Sequence, residues 1–130
     1  MATWDDVRRA ALALPETTEG TSYGGAAQWL VRGKSFVWER PLRRSDLEAL
    51  GDAAPTGPVL AAYVADVGVK TEVIADDPEV YFTTPHFEGF RAVLVRLERI
   101  STAELDEVVT DGWLARAPKR LAHAYLDRSG

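Results

Sequence analysis

The sequence contains no cysteine and only two histidines, His86 and His123. The absence of cysteine excludes disulfide scaffolds, thiolate zinc sites and cysteine nucleophiles. The histidines form neither an H-x-x-x-H nor an H-E-x-x-H motif, so a helical metal site is not expected. Walker loops, G-x-G-x-x-G fingerprints and G-x-S-x-G elbows are also absent. The sequence therefore predicts no catalytic residue, no metal and no cofactor.

Long apolar runs are missing as well. No segment is apolar enough for a signal peptide or a membrane span, and Asp5 and Asp6 stand near the start of the chain. We therefore expect a cytoplasmic protein without a membrane partner. The 130 residues, of which 46% are hydrophobic, predict a single domain over residues 1–130 that needs neither a disulfide nor a metal to fold.

Positive charge is scarce overall and unevenly distributed. The formal net charge of -5 argues against a nucleic-acid footprint that covers the whole protein. Residues 28–44 nevertheless carry five basic side chains against the single acid Glu39, whereas residues 45–90 carry nine acids against Lys70. Residues 113–130 are basic again, so a local anion-binding face is compatible with the sequence.

Two parts of the sequence indicate helices. Apolar residues at helical spacing predict a helix over residues 4–14, with Thr3 as its N-cap. The clearest helix follows Ser101, which begins a capping box. Its stripe consists of Leu105, Val108, Val109, Gly112 and Trp113. Pro118 is expected to be the first residue of a second C-terminal helix.

Short runs of β-forming residues predict strands. Residues 28–31 and 35–39 are joined by Arg32-Gly33-Lys34 in the manner of a tight hairpin. Residues 81–84 and 92–97 are predicted to be strands on either side of a polar corner.

Two further segments have capping signals. Ser45–Leu50 has capping-box spacing at its start and Gly51 at its end, which predicts a short helix. Asp76 and Asp77 precede Pro78 and are expected to cap a helical turn that follows them.

Residues 59–75 are compatible with two strands around Asp66–Gly68 or with one strand followed by a helix. The β-branched content and the central glycine favour two strands. Together the elements predict an α+β fold, in which an N-terminal helix precedes an antiparallel β-sheet of hairpins and C-terminal helices pack on one face.

Aromatic and basic residues alternate along the predicted hairpin. Such a mixture is typical of nucleic-acid-binding surfaces, although alternating aromatic strands also occur in half-buried sheets whose polar positions face water. The candidate DNA-binding residues are Arg32, Lys34, Arg40, Arg43, Arg44, Lys119 and Arg120. The last two stand near the start of a predicted helix, where backbone N–H groups attract anions.

A small-molecule or protein-binding module is the alternative function. The predicted aromatic cleft is lined by Tyr23, Trp38, His86 and Trp113. Lys119 or Arg120 would hold an anionic group of the ligand at its edge. A small anionic ligand and DNA are thus the two partners that the sequence allows.

His86 lies in the corner "TPHFEG", between Pro85 and Gly89. These neighbours already supply turn geometry, and no partner nucleophile is apparent, so we interpret His86 as a corner residue. An enzyme that uses His86 as an acid or base is the third alternative, and it requires a carboxylate within hydrogen-bonding reach.

Four segments resemble the MmcQ/YjbR-like family, in order and over nearly the whole chain. They are "ALALPETTEGTSYG", "VRGKSFVWERP", "DPEVYFTTPHFEGFRAVLVRL" and "ELDEVVTDGWLARAPKRL". The resemblance implies a compact α+β fold and, by analogy with a double-wing arrangement of hairpins, DNA binding without a catalytic residue or cofactor. Gly112 departs from the family pattern, in which alanine is common. A glycine there costs about 1 kcal/mol of helix propensity unless close packing requires it.

Overall fold

The computed structural model describes residues 1–22 and 24–129, which form five α-helices and six β-strands. The helices are α1 (Trp4–Leu12), α2 (Arg44–Leu50), α3 (Val67–Asp76), α4 (Thr102–Arg116) and α5 (Lys119–Ser129). The strands are β1 (Thr17–Thr21), β2 (Ala27–Val31), β3 (Lys34–Glu39), β4 (Val59–Tyr63), β5 (Tyr81–Phe82) and β6 (Ala92–Arg96). None of these helices has the length and apolar character needed to cross a membrane.

The described strands form one sheet in the order β1-β2-β3-β4-β6-β5, and each neighbouring pair is antiparallel. Arg32 and Gly33 join β2 to β3, with φ angles of 48° and 82°. Positive φ at both positions is typical of a type I′ turn, whose twist matches that of the flanking strands. The predicted hairpin is therefore confirmed.

Helices α1, α3 and α4 cover the first face of the sheet. Val37, Ala62 and Val93 lie side by side on the three central strands and are fully buried beneath these helices. Trp113 of α4 is also fully buried, and its indole N–H donates to the carbonyl of Pro15 at 3.0 Å. The predicted α+β fold, with C-terminal helices packed on one face of an antiparallel sheet, is confirmed.

Gly112 allows α4 to approach the backbone of the sheet closely. A Cβ atom at this position would lie 3.0 Å from the carbonyl oxygen of Phe36 and 3.4 Å from that of Tyr63. Both oxygens belong to central strands that cannot easily move. Close packing therefore explains why glycine interrupts the apolar stripe of α4.

The second face of the sheet carries a smaller core. Trp38, Ala61, Leu94 and Phe82 form one row across β3, β4, β6 and β5, because they are cross-strand neighbours. Residues 85–90 supply Phe87, which packs on part of this row.

The prediction of two strands within residues 59–75 is wrong. The segment forms β4 and then α3, which was the other alternative. Asp66 begins the helix because its side-chain oxygen accepts a hydrogen bond from the backbone N–H of Val69 at 2.8 Å. This local cap outweighs the β-branched content of the segment.

Other boundaries also differ from the predictions. Asp77 is the C-cap of α3, and the helical turn expected after it forms, because its carbonyl oxygen accepts the backbone N–H groups of Val80 and Tyr81 at 3.1 and 3.0 Å. Helix α2 begins one residue early, because Asp46, and not the Ser45 side chain, accepts the backbone N–H of Arg43 at 2.9 Å. The polar connection after α1 contains strand β1, and α5 begins one residue after Pro118.

Candidate ligand-binding cavity

A cavity of about 670 Å³ opens on the second face of the sheet. Strands β2, β3 and β4 form its floor, and its walls come from the β1–β2 and β3–α2 connections and from residues 85–90. Its aromatic residues are Trp38, Tyr63, Phe87 and Phe90, and its polar residues are Ser22, Gln28, Ser35, Glu39, Arg40, Arg43 and His86. The volume is within the range of small-molecule sites.

The four aromatic side chains form a continuous surface. The Trp38 ring centroid lies 5.5 Å from that of Tyr63 and 6.4 Å from that of Phe87. The Phe90 ring completes the surface, 5.4 Å from Tyr63. Phe87 is 6% exposed and Phe90 is 41% exposed, so the surface extends from the small core to the rim of the cavity. Such a surface suits the flat apolar part of a ligand.

Arg40 stands behind the cavity in a buried ion pair. Its Nη2 donates to Oδ2 of Asp46 at 3.1 Å, its Nη1 donates to the carbonyl of Pro41 at 3.0 Å, and its guanidinium lies 5.2 Å from the Phe87 ring centroid. Asp46 balances the charge of Arg40. Within the described residues, Nε of Arg40 and Oγ of Ser35 are buried without a hydrogen-bond partner. Both residues line the cavity.

Arg43 is an exposed cation at the rim of the cavity. Its guanidinium forms no ion pair with a carboxylate of the described residues. The adjacent Arg44 is different, because it pairs with Glu48 at 3.3 Å and does not line the cavity. Arg43 is therefore available to an anionic group of a ligand.

Two further arginines hold the Tyr63 ring in place. The guanidinium carbon of Arg116 lies 4.3 Å from the ring centroid, and that of Arg91 lies 5.4 Å from it. Arg116 also donates to the carbonyl of Ser35 at 3.2 Å, which joins α4 to β3. These contacts restrict the position of the ring.

Lys70 of α3 supports the wall that contains Phe87 and Phe90. The lysine is 4% exposed, and its Nζ donates to the carbonyl oxygens of Phe87 at 2.6 Å and Phe90 at 3.0 Å. Burial lowers the pKa of Lys70, and the nearby charge of Glu88 opposes this shift. Two hydrogen bonds from one ammonium group thus hold both ends of this short segment.

The structure brings together two of the residues predicted for the aromatic cleft. Trp38 and His86 both line the cavity, and the exposed His86 ring stacks edge-to-face on Phe87 at 5.1 Å. No carboxylate of the described residues is within hydrogen-bond distance of His86. Trp113 lies apart from them, buried on the first face of the sheet. Tyr23 is outside the described residues.

The predicted DNA-binding residues fall into three places. Arg32 and Lys34 lie at the hairpin end of β3, while residues 40–44 follow its other end. At a rise of about 3.3 Å per residue, the strand separates these groups by roughly 20 Å. Lys119 and Arg120 are exposed at the start of α5. The predicted DNA-binding residues therefore lie at both ends of β3 and at the start of α5, and not at one end of the strand.

Sequence reasoning missed Tyr63, Phe87 and Phe90, which come from two segments distant from Trp38. It also missed Lys70, although a lone lysine within a long acidic stretch was a visible signal. A buried lysine must find hydrogen-bond acceptors, and here they come from a loop that the sequence does not place beside it.

The fold and the cavity define a class of small α+β domain, with helices on one face of an antiparallel sheet and an aromatic cavity on the other. The chain belongs to the YjbR family, whose model matches residues 12–115. Uncharacterized protein Rv2570 of Mycobacterium tuberculosis and uncharacterized protein Mb2600 of Mycobacterium bovis are each 50% identical to it over 133 residues, covering 100% of both chains.

A solved structure has the same fold. The Deinococcus radiodurans protein DR2400, a DUF419 domain, superposes with a TM-score of 0.68 at 16% sequence identity. The match covers 98% of this chain and 88% of the Deinococcus chain. At this identity the likeness establishes the fold alone.

Proposed function

We propose that this YjbR-family protein is a non-catalytic binding domain for a small organic anion with a flat apolar body. The observation that carries the proposal is the continuous aromatic surface, with the exposed guanidinium of Arg43 at the rim of the cavity. The flat body lies against Trp38, Tyr63 and Phe90, and Arg43 pairs with the anionic group.

The buried polar atoms beside the cavity support an acceptor-bearing ligand. Arg40 Nε and Ser35 Oγ have no hydrogen-bond partner among the described residues. An unpaired buried polar group costs about 1–3 kcal/mol, so a ligand oxygen that reaches either atom after a small side-chain shift would offset part of that cost.

Naphthoate is a suitable probe, because it combines a flat apolar body with one carboxylate. We expect calorimetry to detect its binding, and we expect Arg43→Ala to weaken binding about tenfold through loss of a charge-assisted hydrogen bond. Arg44→Ala is the matched control, since Arg44 is adjacent, exposed and outside the cavity. Neutral naphthamide should bind the wild-type protein about as weakly as naphthoate binds the Arg43 variant.

Phe90 provides an independent test of the aromatic surface. This ring is 41% exposed, so Phe90→Ala should leave the fold intact and weaken naphthoate binding severalfold. If naphthoate does not bind the wild-type protein, or binds all three variants equally well, the proposal is wrong.

Duplex DNA is the second candidate, and the neighbouring exposed cations Arg43 and Arg44 favour it. DNA binding through phosphates should fall steeply with salt and should weaken to a similar degree in the Arg43→Ala and Arg44→Ala variants. Binding of a small anion in the cavity depends on Arg43 and not on Arg44. Fluorescence polarisation with random-sequence duplex, at low and at physiological salt, therefore separates the two functions.

A further inference from the structure

A second cavity of about 530 Å³ lies on the first face of the sheet, in the groove between α3 and α4. Tyr81 and Val93 form its floor, and Val73 and Val108 are among its apolar sides. Among the described residues, none lines both this groove and the aromatic cavity. The groove is therefore separate from the aromatic cavity.

The charged side chains of this groove all carry the same sign. Asp76 comes from α3, while Glu104, Glu107 and Asp111 come from α4, where their spacing puts them on one side of the helix. No basic side chain of the described residues lines the groove, and none forms an ion pair with these four carboxylates. The apolar walls are thus bordered by four carboxylates that have no basic partner among the described residues.

Two groups in the groove respond to this environment. Partial desolvation against the groove, and secondarily the charge of the neighbouring Glu107, raise the pKa of the exposed Asp111 carboxyl group. Burial, and secondarily Glu104, raise the pKa of the Tyr81 hydroxyl. The neighbouring carboxylates thus disfavour a negative charge on Asp111 and on Tyr81. A cation bound in the groove would lower both pKa values, because it opposes the effect of these carboxylates.

The carboxylates are arranged for an organic cation rather than a metal ion. A divalent cation needs several oxygens that converge on one point, and no such group exists among the described residues. An organic cation places its apolar body on the valines while its charge meets carboxylates at the edge.

We propose that the groove between α3 and α4 binds a small organic cation, a primary amine or amidine attached to an apolar body of about the size of a naphthalene ring. Charge complementarity selects the cationic head, and the apolar floor selects the body. This site does not depend on the function of the aromatic cavity, because it lies on the opposite face of the sheet.

Naphthylmethylamine is the probe for this site, since it shares its ring system with naphthoate and carries the opposite charge. A backbone amide NMR titration should show shifts in α3 and α4 with the amine. The double variant Glu107→Gln/Asp111→Asn should weaken binding on the order of tenfold, because two partly exposed charge interactions with the amine are lost. Asp106→Asn is the matched control, because Asp106 is an exposed aspartate of α4 that does not line the groove.

Naphthoate binding should be unchanged in the double variant, which keeps this test independent of the aromatic cavity. Equal affinity for neutral naphthalenemethanol would overturn the proposal, because charge would then play no part. Absence of amine binding at millimolar concentration, shifts confined to other elements, or equal weakening by Asp106→Asn would also overturn it. The substitutions reduce repulsion between surface carboxylates, so both variants should fold.

Discussion

The ammonium nitrogen of Lys70 lies 2.6 Å from the carbonyl oxygen of Phe87, although the two residues come from opposite sides of β5 in the sequence. This hydrogen bond joins a helix on the first face of the sheet to the wall of a cavity on the second. Lys70 is therefore a positioning residue for the aromatic cavity.

Replacement of Lys70 by Met should loosen this wall. The carbonyls of Phe87 and Phe90 would each lose a donor, and we expect the free energy of unfolding to fall by about 1–3 kcal/mol. Naphthoate affinity should fall as well, and hydrogen exchange should accelerate in residues 85–90. Lys34→Met is the control, since Lys34 is exposed. Unchanged exchange in residues 85–90 would contradict a positioning role.

Lys70 should also affect stability at alkaline pH. Because burial lowers its pKa, the unfolded chain binds more protons than the folded chain just below the ordinary lysine pKa of about 10.4. Stability due to this group therefore rises with pH in that window. Tyr81 acts in the opposite sense, because burial raises its pKa and the unfolded hydroxyl ionises first.

The Lys70→Met variant keeps the tyrosine contribution and loses the lysine contribution. Its free energy of unfolding should therefore fall more steeply with pH than that of the wild-type protein, as urea denaturation at a series of alkaline pH values would measure. Parallel curves for the two proteins would contradict the shifted pKa of Lys70.

The ion pair between Arg40 and Asp46 should be important for stability. The two side chains are 10% and 3% exposed, so Asp46→Ala leaves a buried guanidinium without a counter-charge and should cost about 3 kcal/mol. Glu48→Ala breaks the exposed pair with Arg44 and should cost less than about 0.5 kcal/mol. Urea denaturation would measure both, and similar losses in the two variants would be evidence against this difference.

Gly112→Ala tests the close approach of α4 to the sheet. Alanine improves helix propensity by about 1 kcal/mol, but its Cβ would meet the Phe36 carbonyl oxygen at 3.0 Å. Since that oxygen belongs to a central strand, we expect a net destabilisation of about 1 kcal/mol, the overpacking loss exceeding the gain in propensity. A rise in the thermal midpoint would instead mean that α4 can move away from the sheet.

Local signals in the sequence were sufficient for most elements. The apolar stripe after Ser101 predicted α4, and the short link between 28–31 and 35–39 predicted the hairpin. Residues 59–75 were mispredicted because valines at 67, 69 and 73 suit a strand as well as a helix, and Asp66 decides between them through one capping bond. Propensity alone cannot weigh such a bond against β-branched content.

The site was less accessible to sequence reasoning. The sequence indicated Trp38 and His86 as site residues because each is an aromatic or titratable residue near a turn. It could not show that they lie close together, because this depends on the packing of residues 85–90 against β3. Trp113 was also selected because it is aromatic, but it is buried in the core. Only its position in the apolar stripe of α4 indicated this burial. Tyr63 gave no local signal, because its role comes from neighbours on two other elements.

The close approach of α4 to the sheet at Gly112 implies that the two faces of the sheet differ in how freely their residues can change during evolution. Where Gly112 meets the strands there is little room for a side chain, so we expect this position to change slowly. Phe90 and Arg43 stand in water on the other face and contribute little to the core. Residues around the proposed ligand site can therefore change among proteins of this family while their architecture stays the same.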